Sequence, residues 1–173
     1  MWPAAANPSF READLSGLGW HLSRTCHRNE LVLSSSHMKD AQNQLTAALQ
    51  ATSCKAVKHD GEWYFSFENE AVLRAGCLWR LVVGGRVVLS SRDHGQMFGL
   101  KSPVDAAHEA TLILADKEIT AIAIESGKAD VRILLSDGTE LELLNDSSGF
   151  EPWGFSSKQL TLVATADGDV FRT

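Results

Sequence analysis

Trp79-Arg80-Leu81-Val82-Val83-Gly84-Gly85-Arg86-Val87-Val88-Leu89 consists of two β-branched runs joined by a glycine pair. A two-residue turn needs positive φ at its centre, which glycine adopts freely, so this stretch predicts a β-hairpin. Asp137-Gly138 marks a second hairpin between Val131–Leu135 and Thr139–Leu144. There Leu141 and Leu143 alternate with Glu140 and Glu142, which predicts that the leucines turn inward and both glutamates face water. Further strands are expected at 30–35, 54–59, 63–67, 71–75, 118–124 and 160–165. Two segments carry helical spacing instead. In 103–115, Ala106, Ala110, Ile113 and Leu114 form one stripe behind a start specified by Ser102, Pro103 and Asp105. In 37–51, Met38, Ala41, Leu45, Ala48 and Leu49 share a face.

The hairpin has relatives within the chain. Trp79-Arg80-Leu81 parallels Trp20-His21-Leu22, and Val88-Leu89-Ser90-Ser91 parallels Val32-Leu33-Ser34-Ser35. Asp105-Ala106 parallels Asp40-Ala41, Ile119–Ile122 parallels Cys54–Val57, and Ile133–Asp137 parallels Phe65–Asn69, ending at Leu141 and Leu73. Trp153-Gly154-Phe155 followed by Leu160–Val163 is a third start. The order predicts an α+β fold of two similar ββαβββ units, 18–77 and 78–145, with a closing hairpin at 153–170 and a tail over 1–17. Neither unit buries enough apolar surface alone, so the two are expected to share a core as a single domain over 18–173, each antiparallel sheet covered by one helix. Trp20, Trp79 and Trp153, at equivalent starts, read as core anchors. Trp63-Tyr64-Phe65 with Phe67 puts aromatics on both faces of one strand, the outer set being free for a partner.

Composition narrows the classes. The chain has 173 residues with 16 basic against 22 acidic side chains and a net charge of −6, which removes the basic footprint of a nucleic-acid binder. Its three cysteines, Cys26, Cys54 and Cys77, are odd in number and widely spaced, which suits reduced thiols in a cytoplasm better than a disulfide framework. Met1–Pro8 has no basic start and no long apolar run, and no later stretch has the length of a membrane span, so a cytoplasmic protein without a membrane partner is expected. No cofactor is implied, since Gly84-Gly85 is a turn and no glycine loop leads from a strand into a helix to cradle phosphate. No metal site is expected either. His21, Cys26, His27 and His37 share a stretch but follow no zinc spacing.

Two polar segments remain as candidate sites. Ser91–Gly99 contains Asp93, His94 and Gln96, and Asn145–Trp153 contains Asp146 and Glu151; with Arg80 these are the candidate binding residues. Such loops can form a pocket with convergent polar groups, and they can equally be turns built on local side-chain caps. A hydrolase would pair His94 with Asp93 or Asp146 and use Ser147 or Ser148, but no nucleophile elbow is present and no catalytic residue is assigned. In Gly149–Trp153, Phe150 and Trp153 are expected in the core, with Glu151 clasped by a turn or by Arg80.

Residues 79–153 resemble an uncharacterised family of small bacterial proteins occasionally found in toxin-immunity settings. The resemblance rests on Trp79-Arg80-Leu81, Asp93-His94-Gly95-Gln96 with Phe98-Gly99, Pro103-Val104-Asp105-Ala106, Asp130 before a strand, and Ser147-Ser148-Gly149-Phe150-Glu151 with Trp153. It covers somewhat under half of the chain and implies no activity, cofactor or catalytic residue. Phe150 stands where the family usually carries tyrosine. The expected function is therefore non-enzymatic: an immunity-like protein that holds a basic protein partner against an acidic surface near Glu142, Asp146 and Glu151. A homodimer through an edge strand is a further partner expectation. The alternative is a small-molecule binder or hydrolase with a pocket between loops 91–99 and 145–153.

Overall fold

The computed structural model describes residues 27–59 and 61–173. The elements are α1 (His27–Leu49), β1 (Cys54–His59), β2 (Glu62–Phe67), β3 (Val72–Ala75), β4 (Leu78–Val83), β5 (Arg86–Ser90), α2 (Ala106–Leu114), β6 (Ile119–Ile124), β7 (Val131–Leu135), β8 (Glu140–Leu144), β9 (Trp153–Ser156), β10 (Thr161–Ala164) and β11 (Val170–Arg172). They make an α+β fold of two antiparallel sheets, ordered β1-β2-β3-β9-β10-β11 and β5-β4-β8-β7-β6. Both expected hairpins form, with Gly84, Gly85 and Gly138 at positive φ in their turns.

Corresponding parts of the two halves carry the same geometry. Two residues beyond the last residue of each helix, Ala51 and Asp116 have φ values of 59° and 58°. The turn after β2 bonds Phe67 N–H to Ala71 O, and the turn after β7 bonds Leu135 N–H to Thr139 O, both at 2.9 Å. Asn69 and Asp137 each accept from the backbone N–H two residues on. Phe65 faces Leu73 as Ile133 faces Leu141. Each hairpin that opens on a tryptophan then docks in the same register: Trp153 faces Ala75 and Phe155 faces Leu73, while Trp79 faces Leu143 and Leu81 faces Leu141.

The partnership is nevertheless exchanged. The β4–β5 hairpin follows the first α-β-β-β run in sequence but pairs with β8 of the second, and β9–β10 pairs with β3 of the first. Both sheets are thus assembled from distant parts of the chain, and Trp79 and Trp153, both fully buried, hold the shared core with Phe65 and Phe155.

Several expectations need correction. Residues 30–35 are helical, because α1 begins at His27, so Val32–Ser35 is no counterpart of Val88–Ser91. A short apolar run has no period of its own, and here it continues the helix beside it. Helix α2 begins later than Pro103, with Asp105 as its cap, the carboxylate accepting from Ala107 and His108 N–H at 3.2 and 3.3 Å. Neither helix covers one sheet alone. Helix α1 packs against β6 and β11, and α2 against β1 and β5, so each bridges an edge of one sheet to an edge of the other. The tail and Trp20 lie outside the described residues.

At one position the packing admits only glycine. Gly168, at φ 90°, lies so close to Gly127 that an added Cβ would overlap its carbonyl group and come within 2.6 Å of Lys128 N. Gly84, also at positive φ, has open space around it. Gly168→Ala is therefore expected to destabilise by about 1–3 kcal/mol more than Gly84→Ala, the difference being overpacking rather than backbone conformation. Denaturant midpoints of the two variants check this.

The paired turns give a second test. Lys117 and the Thr139 N–H beside Asp137 pull its carboxyl down to about 2. A depressed carboxylate stabilises the fold above its ordinary value of about 3.9, and that contribution is lost as pH falls through about 2. Asp137→Asn, which reproduces the Asn69 turn, should leave the fold intact and remove this part of the acid sensitivity. Comparing unfolding midpoints at neutral and low pH measures it.

Candidate functional site

The strand registers separate the two ends of the molecule. Tight turns 68–70, 84–85, 136–138 and 157–160 lie at one end. At the other gather the β3–β4 link, the β5–α2 loop 91–105, the β6–β7 loop 125–130, the β8–β9 loop 145–152 and the β10–β11 turn. Both candidate loops are therefore neighbours, bridged at their rims by Arg92 and Asp146 at 3.9 Å. Between them lies a cleft of about 310 Å³ lined by Gly61, Trp63, Gly76, Cys77, Ser91 and Arg92 among others.

The candidate residues do not converge in it. Arg80 lies on the outer face of the second sheet and pairs with Glu142, its cross-strand neighbour. Asp93 closes a local turn, accepting from Ser90 N–H at 2.7 Å. The Nδ1 of His94 accepts from Ala106 N–H at 3.3 Å, and its ring stands edge-on to Trp63 with centroids 5.4 Å apart. Gln96 contributes its backbone, the carbonyl accepting from Val104 N–H at 2.9 Å. Asp146 stays at the rim. Glu151 is exposed and pairs with Arg74 at 3.3 Å, not with Arg80. Neither His94 nor Glu151 lines that cleft: His94 opens instead onto a groove of about 420 Å³ with Lys58, Asp105, His108 and Thr111.

Two more expectations fail here. Glu142 is only 6% exposed, because Arg80 and Arg132 from the strands on either side lie against its carboxylate. Phe150 is 79% exposed, while Trp153 is buried and donates its indole N–H to Ala129 O at 2.6 Å. The clasp that fixes the 145–152 loop is Asn145. Its backbone N–H bonds the Asp130 carboxylate at 2.7 Å, and its side-chain amide reaches Lys128 O and Ala166 O at 3.0 and 3.1 Å. Asn145 thereby ties three loops together.

Chemically, the groups are committed to structure. Ser147 Oγ accepts from Gly149 and Phe150 N–H, both at 3.2 Å, which closes a turn rather than presenting a nucleophile to His94. Burial pushes the Cys54 and Cys77 thiols up to about 12, keeping both protonated and inert. Among the described residues no three His, Cys, Asp or Glu side chains are grouped to hold a metal, and no helix is long and apolar enough to cross a membrane.

Sequence reading passed over the apolar run inside the first loop. Met97, Phe98 and Leu100 are 47%, 68% and 56% exposed, although the loop around them is well bonded. Gly95 N–H bonds Val104 O, Val104 N–H bonds Gln96 O, and Leu100 N–H bonds Met97 O at 2.6 Å. Phe98 itself has φ 40°, a conformation strained for an aromatic residue. The signal was the Met97-Phe98-Gly99-Leu100 run set between polar residues. Compared with known proteins, the chain matches no family model, no curated sequence and no solved structure.

Because the Asn145 amide makes two hydrogen bonds to the backbone of other loops and Glu151 makes an exposed ion pair, the two should respond differently. Asn145→Ala is expected to cost about 1–3 kcal/mol of unfolding free energy. Glu151→Gln should cost no more than about 1 kcal/mol, as exposed ion pairs do. Chemical denaturation of both variants decides between the clasps.

Proposed function

We propose that this chain is a non-enzymatic, cytoplasmic protein-binding module whose docking element is the 91–105 loop. The observation that carries the reading is the apolar tip Met97, Phe98 and Leu100, held outward on a bonded loop with Phe98 at positive φ. Methionine and aromatic side chains are the types enriched where proteins meet. A tip ordered before contact loses little conformational entropy on binding, so its apolar area contributes more fully to affinity. Phe150, on the neighbouring loop, adds a second exposed ring. An immunity-like role, with a bacterial toxin as partner, is the form of this reading that the resemblance over 79–153 favours.

The acidic surface expected around Glu142, Asp146 and Glu151 is not its basis. Arginines partner Glu142 and Glu151, and Asp146 has Arg92 at its rim. Recognition through apolar contact is the stronger physical case.

The second reading, a small-molecule site, is favoured by the cleft that Arg92 and Asp146 bridge. Its volume of about 310 Å³ lies at the lower end for ligand pockets.

Phe98→Ser combined with Leu100→Ser tests the first reading. Capture of a partner from the native host should be lost, while the unfolding free energy stays within about 0.5 kcal/mol, as for surface substitutions. If the double variant retains the partner, and Arg92→Ala or Asp146→Ala abolishes binding of a small ligand instead, the docking reading falls and the cleft reading replaces it.

A further inference from the structure

We infer that His94 is a proton-controlled latch at the base of the 91–105 loop. Its place is specific. The Nδ1 accepts the Ala106 N–H, one of the unpaired donors in the first turn of α2, so His94 and the Asp105 carboxylate cap this helix together. Accepting at Nδ1 requires a lone pair there, so the latch is closed only in the neutral ring with its proton on Nε2. Protonation puts N–H against N–H and turns the ring's affinity toward Asp105 Oδ1, which lies 3.8 Å from Nδ1.

The surroundings act in both directions. From β1, the Lys58 ammonium lies 5.2 Å from the Trp63 ring centre and opposes a second cation on that indole. On α2, the Asp105 carboxylate and the helix N-terminus both face the ring with opposite charge, and His108 shares the same groove. Beside His94 in sequence, Arg92 is drawn to Asp146, and Asp93 is occupied with Ser90 N–H. Glu62, next to Trp63 on β2, is held by Tyr64 and Arg74. Asp105 is therefore the one carboxylate within reach of a protonated His94 among the described residues. Movement of the ring between Ala106 and Asp105 alters both anchors of the loop, because Gly95 and Val104, directly beside them, bond each other across its base. The loop that carries Phe98 is seated one way with His94 neutral and another way with it charged. This holds whether or not Phe98 meets a partner.

Nuclear magnetic resonance of the full chain tests the latch as pH is lowered from about 8 to 5, the range in which imidazoles change charge. The amides of Ala106 and Gly95, and the Trp63 indole N–H, should shift along the same curve as the His94 ring protons. In His94→Asn, whose Oδ1 can accept in place of Nδ1 but does not titrate, these shifts should vanish while the Ala106 amide keeps its bonded position. His108→Asn should leave the wild-type curve in place. Ala106 remaining still while His94 titrates, or moving equally in His94→Asn, would overturn the inference. Neither outcome bears on the protein-binding reading, which the Phe98 and Leu100 variants test separately.

Discussion

An unpaired strand edge leaves a row of N–H and C=O groups with no partner, and two open sheets would present four such edges. In this chain a helix packs beside each of these edges. On α2, Thr111 Oγ1 accepts the Ala56 N–H of edge strand β1 at 3.2 Å; on α1, Gln42 Oε1 accepts the Ile124 N–H of edge strand β6 at 3.0 Å. Because each helix also reaches an edge of the opposite sheet, the elements form a ring in which two of the staves are helical. A homodimer through an edge strand has correspondingly less edge to use. At the start of β5, Val87 and Val88 are exposed beside a register shift that disturbs the ladder.

The ring explains why the tryptophans matter so much. Trp79, on β4, lies against Trp63 and Phe65, both on β2, with centroids 4.8 and 5.5 Å apart, so the rings join strands of the two different sheets. Trp153 joins β9 to the Ala129 carbonyl before β7, and so ties one sheet to a loop of the other. Since each sheet is completed by a hairpin that follows the other half of the chain, neither half can form its sheet before the whole chain has come together. The sequence separation of these contacts implies slow, strongly cooperative folding.

Local chemistry made much of this fold legible. Glycine turns, alternating leucines and the helical stripes each depend on residues near one another, and they mark most elements within a few positions. Self-comparison found the equivalent turns at Asn69 and Asp137 because the same backbone bond needs the same side-chain oxygen. It could not show the exchange of hairpins, which depends on which of two equivalent partners a tryptophan meets. Nor could it foresee Glu142: alternation turns its side chain outward, but burial comes from Arg80 and Arg132, brought beside it only by strand order. Glu151 met Arg74 rather than Arg80 for the same reason. The candidate loops were found by composition, and composition could not separate groups that build turns, such as Asp93 and Ser147, from groups left over.

Where the two halves share a geometry, what packing requires appears twice. The positive-φ residues Ala51 and Asp116 that follow the helices, the paired turns and the tryptophan registers all do. The differences concentrate at one end. Two residues, Gly76 and Cys77, link β3 to β4, whereas the corresponding step from β8 to β9 takes the whole 145–152 loop. The long connection needs its own fastening, and Asn145 supplies it. The 91–105 loop shows the opposite behaviour: its base is bonded, yet its tip turns Met97, Phe98 and Leu100 away from the core. Apolar side chains exposed on an ordered loop, with backbone strain at Phe98, lower the stability of the isolated molecule. Contact with another surface would offset that penalty, and this places the functional reading at the loop tip rather than among the satisfied polar groups around it.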